Sequence, residues 1–180
     1  MKALLLFIIL NTIAFSGLGQ LLREDYFDYP IGNLPSPIPW TSSGSGAAAT
    51  VGTENLTPPN AFYPSPVGLQ SGKSVSLANG ANIDYSRTFS SSPSSGFVYT
   101  AFLLNVTSGA TAGGGYFLST LQGAIEIGRL YARSSDTGYQ LGVQRQTSTV
   151  AYASVVLTYN TTYLVVMKYN FVTGSTNDVV

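Results

Sequence analysis

The side chains of this chain that could do chemistry are carboxylates, aromatics and arginines, because it contains neither histidine nor cysteine. That absence removes a histidine general base, a cysteine nucleophile and histidine or thiolate metal ligation. Two-carboxylate hydrolysis of a glycosidic bond needs none of the missing types. It asks for two acids about 5 Å apart for retention, and further apart for inversion. Glu24, Asp25 and Asp28 cluster near the N-terminus, but a three-residue step puts Asp25 and Asp28 on opposite sides of a strand. Glu126 stands among apolar neighbours, and no Glu-x-Asp-x-x-Glu spacing occurs. The acids read as solvated or turn-capping groups, so no catalytic residue is assigned. Calcium held by carboxylate and carbonyl oxygens is a second chemistry. Asp178 with Asn177, or Asp25 with Asp28, would contribute ligands only if loops converge, and Asx turns explain both pairs more simply. No metal ligand is assigned, and no cofactor is expected.

Aromatics offer a different route. A sugar ring stacks on an exposed Tyr or Trp face while Asn, Gln and Arg meet its hydroxyls. The candidate ligand-binding residues are Trp40 in a proline-rich stretch, Tyr116 after a glycine run, and Tyr131 between Arg129 and Arg133. Each competes with ordinary core packing. The run from Gly113 to Gly115 lacks the Gly-Lys-Ser/Thr ending and following helix of a phosphate cradle, and reads as a turn. Eight basic and eight acidic residues give zero formal net charge. The chain therefore offers no electrostatic footprint for nucleic acid or an anionic membrane, and neither partner is expected.

These residues must be positioned by strands. From Tyr163 the odd positions Tyr163, Val165, Met167, Tyr169 and Phe171 are apolar, while Thr162, Lys168 and Asn170 alternate with them, which is the period of a half-buried strand. Residues 139–145 repeat the pattern, with Tyr139, Leu141 and Val143 inward and Gln140, Gly142 and Gln144 outward. So do residues 81–89, with Ile83, Tyr85 and Phe89 inward. Residues 97–107 carry Val98, Phe102, Leu104 and Val106 on one face and a mixed set on the other, as a central strand covered on both sides would. Shorter strands are expected at 21–27, 48–56, 116–121, 125–132 and 152–157, separated by turn formers. Residues 29–46, with four prolines before Trp40, read as a long surface loop. Regular strand-and-turn spacing without helical periodicity predicts an all-β, antiparallel two-sheet sandwich. The whole chain has 44% hydrophobic residues, twelve Tyr and nine Phe, enough apolar material for the stretch 20–180 to form a single domain.

The first nineteen residues carry the pattern of a secretory signal. Lys2 supplies the positive start, residues 3–10 are an unbroken apolar run, and Gly17 and Gly19 stand at −3 and −1 of a cut before Gln20. Asn11, Thr12 and Ser16 interrupt the run well short of the roughly 20 apolar residues of a membrane span. A secreted or cell-surface mature chain, not inserted in a membrane, is expected.

Several stretches together carry a resemblance: LLREDYFDYPIGNL before Trp40, SRTF ending at Phe89, GFVYTAFLLNVTSG, and NTTYLVVMKYNFVTGSTNDVV. As a set they resemble secreted concanavalin A-like (laminin G-like) sandwich domains of bacteria with type IX secretion, over residues 21–180. The resemblance implies a jelly-roll sandwich within a larger parent protein. It also implies further sheet after an NDVV-like motif, so the domain is expected to be incomplete at Val180. The function implied is a non-catalytic extracellular binding or adhesion module for a carbohydrate or surface polymer. The alternatives are a structural spacer domain and a carboxylate-dependent carbohydrate-active enzyme. Asn55, Asn105 and Asn160 each begin a glycosylation triplet; a bacterial origin argues against their modification.

Overall fold

A computed structural model describes residues 19–57, 72–80, 82–108, 111–172 and 178–180. The export-signal reading lies, apart from Gly19, outside the described residues. Among them there is no helix, and none therefore long and apolar enough to cross a membrane. The chain instead runs through β1 (Gly32–Asn33), β2 (Thr41–Gly44), β3 (Thr50–Val51), β4 (Val75–Ser76), β5 (Ile83–Ser86), β6 (Gly96–Asn105), β7 (Gly115–Gln122), β8 (Ile125–Ser135), β9 (Gly138–Arg145), β10 (Ala151–Tyr152) and β11 (Thr162–Phe171). All pairings are antiparallel. The architecture is all-β and consistent with a β-sandwich, although its ladders divide into four sheets where two were expected: β1-β3-β4, β2-β5, β6-β11 and β10-β9-β8-β7.

The long strands lie where side-chain alternation is strongest. In β11, Met167 and Tyr169 are buried while Leu164, Val166 and Lys168 face out, as the odd-residue pattern requires. In β9 the alternation places Tyr139 inside; only Asp136 and Thr137 separate it from β8, so the two strands pair in full from Ser135 and Gly138 onward. The four-stranded sheet packs on the β6-β11 pair. Ile127 of β8 closes against Val98 and Tyr169, and Phe117 of β7 meets Phe102 of β6 edge-on at 6.4 Å. A second core gathers Leu34, Ala49 and Val51, with Phe27, Tyr29, Trp40, Val75 and Tyr85 around it.

Three local expectations are corrected. Residues 21–27 form no strand: Asp25 Oδ1 accepts from the Phe27 amide (2.8 Å) and Phe27 turns to φ 52°, ending any ladder there. The segment is tied down by side chains instead, with Arg23 donating to the Thr88 carbonyl. The proline-rich stretch 29–46 is not a free surface loop, because it contains β1 and β2 and buries Leu34. Finally, the described residues do not show β6 as a central strand. Among the described residues it pairs only with β11, and its outer face leaves Phe97 54% and Tyr99 61% exposed. Lys168 lays its ammonium over Phe97 at 3.7 Å, which covers part of that face.

Tyr139 and Tyr169 are the largest fully buried side chains, and their hydroxyls differ. Tyr169 donates to Asp178 Oδ2 (2.7 Å), whereas the Tyr139 hydroxyl has no hydrogen-bond partner among the described residues. Replacing Tyr139 by Phe therefore removes an unsatisfied group and is expected to raise stability by about 1 kcal/mol, while Tyr169→Phe lowers it by about 1 kcal/mol. Burial, with the nearby Tyr163 and Tyr159, pushes the Tyr139 phenol up to about 12. Burial, then the Asp178 bond, does the same for Tyr169. A raised native value means that stability is full below pH 10 and falls as pH rises toward 12. Urea melts of both Phe variants from pH 8 to 12 check this, each expected to lose part of the alkaline slope.

Candidate functional site

The outer face of the four-stranded sheet holds the densest set of aromatic and hydrogen-bonding side chains facing away from the core. Register builds it. Tyr116 of β7 stands opposite Tyr131 of β8, Tyr131 opposite Gly142 of β9, and Gly142 opposite Tyr152 of β10. Strands lie about 4.8 Å apart, so three tyrosines and one glycine form a row roughly 14 Å long across the sheet. The rows on either side are polar: Arg129 faces Gln144, and Arg133 faces Gln140. In sequence the two strands read Arg-x-Tyr-x-Arg and Gln-x-Gly-x-Gln, each pattern offering alternate residues to the same side.

Hydrogen bonds hold this surface in one arrangement. Tyr131 donates to Gln144 Oε1 (2.7 Å), as does Arg129 Nη1 (3.0 Å). Arg129 also forms a two-donor ion pair with Glu126, which raises its pKa further. Arg133 reaches Gln140 Oε1 through Nε (3.0 Å) and Nη2 (2.8 Å). The amides of both glutamines continue outward, Gln140 to the Ala153 carbonyl and Gln144 to that of Ser148, tying β9 to the following segment. The rings and guanidiniums interleave. Tyr116 and Tyr131 lie 5.8 Å apart, Arg129 sits 5.2 Å from the Tyr116 ring centre, and Arg133 stands 3.9 Å over Tyr152. Partial burial, then the Glu126 charge, raise the Tyr116 phenol. Tyr116 is 46% exposed and Tyr131 half-buried.

Trp40 belongs to a different place. It immediately precedes β2, is half-buried on the second core, stacks on Phe27 (5.9 Å, 14°) and has Arg87 5.5 Å above it. Arg87 pairs with Asp25 Oδ2, which also accepts from the Tyr29 hydroxyl (2.6 Å). Trp40 thus lies in a packed corner on the second core and outside the tyrosine row, while Tyr116 and Tyr131 are brought together. The sequence reading missed Tyr152. No local pattern marks it, because its position over Gly142 follows from the β9-β10 register across the turn at 146–150.

The acids are engaged singly. Asp25 pairs with Arg87, Asp28 with Lys73 (2.8 Å), and Glu126 with Arg129. Asp178 accepts from Tyr169 and from the Val172 amide, as a turn-capping acid does. The Asp25 carboxylate is only 12% exposed; besides pairing with Arg87 it accepts from the Phe27 amide, the turn-capping role that is one of the two expected of the acids. Asn177 lies outside the described residues. Among the described residues no three acids converge on one point. In comparisons with known proteins, no family model, no curated protein and no solved structure matches the chain.

Gly142 is what allows Tyr152 to lie flat. A Cβ at position 142 would meet the Tyr152 ring at 2.6 and 2.8 Å and Val150 Cγ1 at 2.9 Å. Gly142→Ala is expected to cost about 1–3 kcal/mol by overpacking and to lift the Tyr152 ring from the sheet. A thermal melt and the loss of ring-current shifts at Tyr152 check this.

Proposed function

We propose that this chain is a non-catalytic extracellular binding module that recognises a glycan or surface polymer on the outer face of the β7-β10 sheet. The observation that carries the reading is the row Tyr116, Tyr131 and Tyr152 with an Arg-Gln pair on each side. A pyranose offers apolar C–H faces and an equatorial belt of hydroxyls. An aromatic strip with fixed Arg and Gln groups at its margins is complementary to both. The strip is long enough for two or three sugar units in line. The bonds that hold Gln140, Gln144 and both arginines in place lower the ordering cost of binding.

The concanavalin A-like jelly roll and export belong to the same proposal. They rest on the motif resemblance and on the apolar leader, to which the antiparallel all-β architecture adds coarse support. A spacer role for a larger parent protein is the second reading. It is favoured by one observation, that most polar groups of the face already satisfy one another.

Titration of the mature chain against a panel of neutral and acidic polysaccharides distinguishes them. Saturable binding is expected, and Tyr116→Ala or Tyr152→Ala should weaken it roughly tenfold, about 1.4 kcal/mol. Trp40→Ala, in the packed corner, should change stability and leave affinity within about twofold. Silence across the panel with an intact melt would favour the spacer.

A further inference from the structure

The two margins of the tyrosine row carry different electrostatics. On one, Glu126 pairs with Arg129, and the charge of Asp84 also bears on Tyr116 at the β7 end of the row. That margin is balanced. On the other, no carboxylate among the described residues lies within ion-pair distance of Arg133. Its positive charge is left uncompensated on the face.

Geometry fixes how that charge is presented. A guanidinium carries five N–H donors in one plane. Arg133 commits two of them, Nε (3.0 Å) and Nη2 (2.8 Å), to the single Oε1 of Gln140, so the side edge of the fork is occupied. The end edge, Nη1 with the second Nη2 hydrogen, has no partner among the described residues. Stacking at 3.9 Å on the Tyr152 ring holds the guanidinium in place, and Gln140 is itself anchored by donating to the Ala153 carbonyl (2.8 Å). Gly114, at φ 77°, makes room for this stack: a Cβ there would run into the Tyr152 hydroxyl and stand 3.2 Å from Arg133 Cβ. Arg129 offers no such edge. Its Nε and Nη2 go to Glu126, and its Nη1 goes to Gln144 and to the Gln146 carbonyl.

We propose that the face selects an anionic sugar, with the carboxylate or sulfate of one unit docked end-on against Nη1 and Nη2 of Arg133 while neighbouring rings lie along the tyrosines. This selectivity presupposes the glycan-binding reading of the row and adds the class of its ligand. Two parallel N–H···O bonds to an oxyanion are stronger than bonds to a neutral hydroxyl, and the planar fork orients the sugar as well as holding it. Gln140 and Tyr152 already restrain the guanidinium, so little side-chain freedom is lost when the anion arrives. A charged unit gains at the Arg133 margin alone, because Arg129 is already paired. The face therefore reads where the charge sits along the polymer.

Calorimetric titration of the chain with oligogalacturonides and their methyl esters, and with a sulfated and an unsulfated galactan, tests this. A charged form is expected to bind roughly tenfold more tightly than its neutral counterpart. The pair that shows the preference identifies the group. Arg133→Gln should bring the charged-to-neutral affinity ratio close to one, whatever it does to either affinity alone. Arg133→Lys keeps the charge but loses the fork, and should retain only part of the ratio. Equal binding of charged and neutral forms would overturn the proposal and leave the glycan reading standing. So would a preference that Arg133→Gln leaves intact. Silence of all four ligands with an intact melt would remove the glycan reading and this selectivity together.

Discussion

The register between β8 and β9 is the constraint on which both faces of the four-stranded sheet depend. With Tyr131 opposite Gly142, the residues Arg129, Tyr131, Arg133, Gln140 and Gln144 all emerge outward, and Leu130, Leu141 and Val143 emerge toward the β6-β11 pair. A one-residue slip that inverts β8 would send Arg129 and Arg133 into the core and Leu130 into water, and one that inverts β9 would bury Gln140 and Gln144 and expose Leu141 and Val143. Charged and polar groups are too costly to bury unpaired for either alternative to compete. The short Asp136-Thr137 connection and the Arg129-Gln144 and Arg133-Gln140 bonds reinforce the same choice from the outside.

Charge has a small part in this molecule and a local one. With 9% charged residues, the chain uses its acids one at a time to fasten a neighbour. Asp25 holds Arg87 over Trp40, Glu126 holds Arg129 against Tyr116, and Asp178 caps the turn after β11 while receiving the Tyr169 hydroxyl. Each bond orients an aromatic ring directly or through an arginine. Rings and their hydrogen bonds therefore take on the positioning work that a more highly charged protein gives to ion-pair networks.

How much of this was legible in the sequence follows from range of interaction. The strands β9 and β11 were readable because alternation is a local property, and β11 keeps it from Tyr163 to Phe171. The pair Tyr131 with Arg129 and Arg133 was readable for the same reason. What could not be read was set by pairing partners far along the chain. Tyr152 gained its place from Gly142, and Trp40 lost its place on the surface to Phe27 and Arg87. That β6 has a single neighbour and an open outer face among the described residues was invisible because an apolar face, here Phe97 and Tyr99, reads the same whether a layer covers it or not. Residues 21–27 alternate like a strand, yet Asp25 captures the Phe27 amide and ends the extended run.

The central claim is that Tyr116, Tyr131, Gly142 and Tyr152 form one row on the outside of the sheet. Nuclear Overhauser contacts in a uniformly labelled sample measure it most directly. The account predicts contacts from the Tyr131 ring to Tyr116 and to the Gly142 α-protons, and from the Gly142 α-protons to the Tyr152 ring. Contacts from the Tyr131 ring to Leu141, Val143 or Val165 would place it inside the layers, and the row, with the binding face built on it, would not exist.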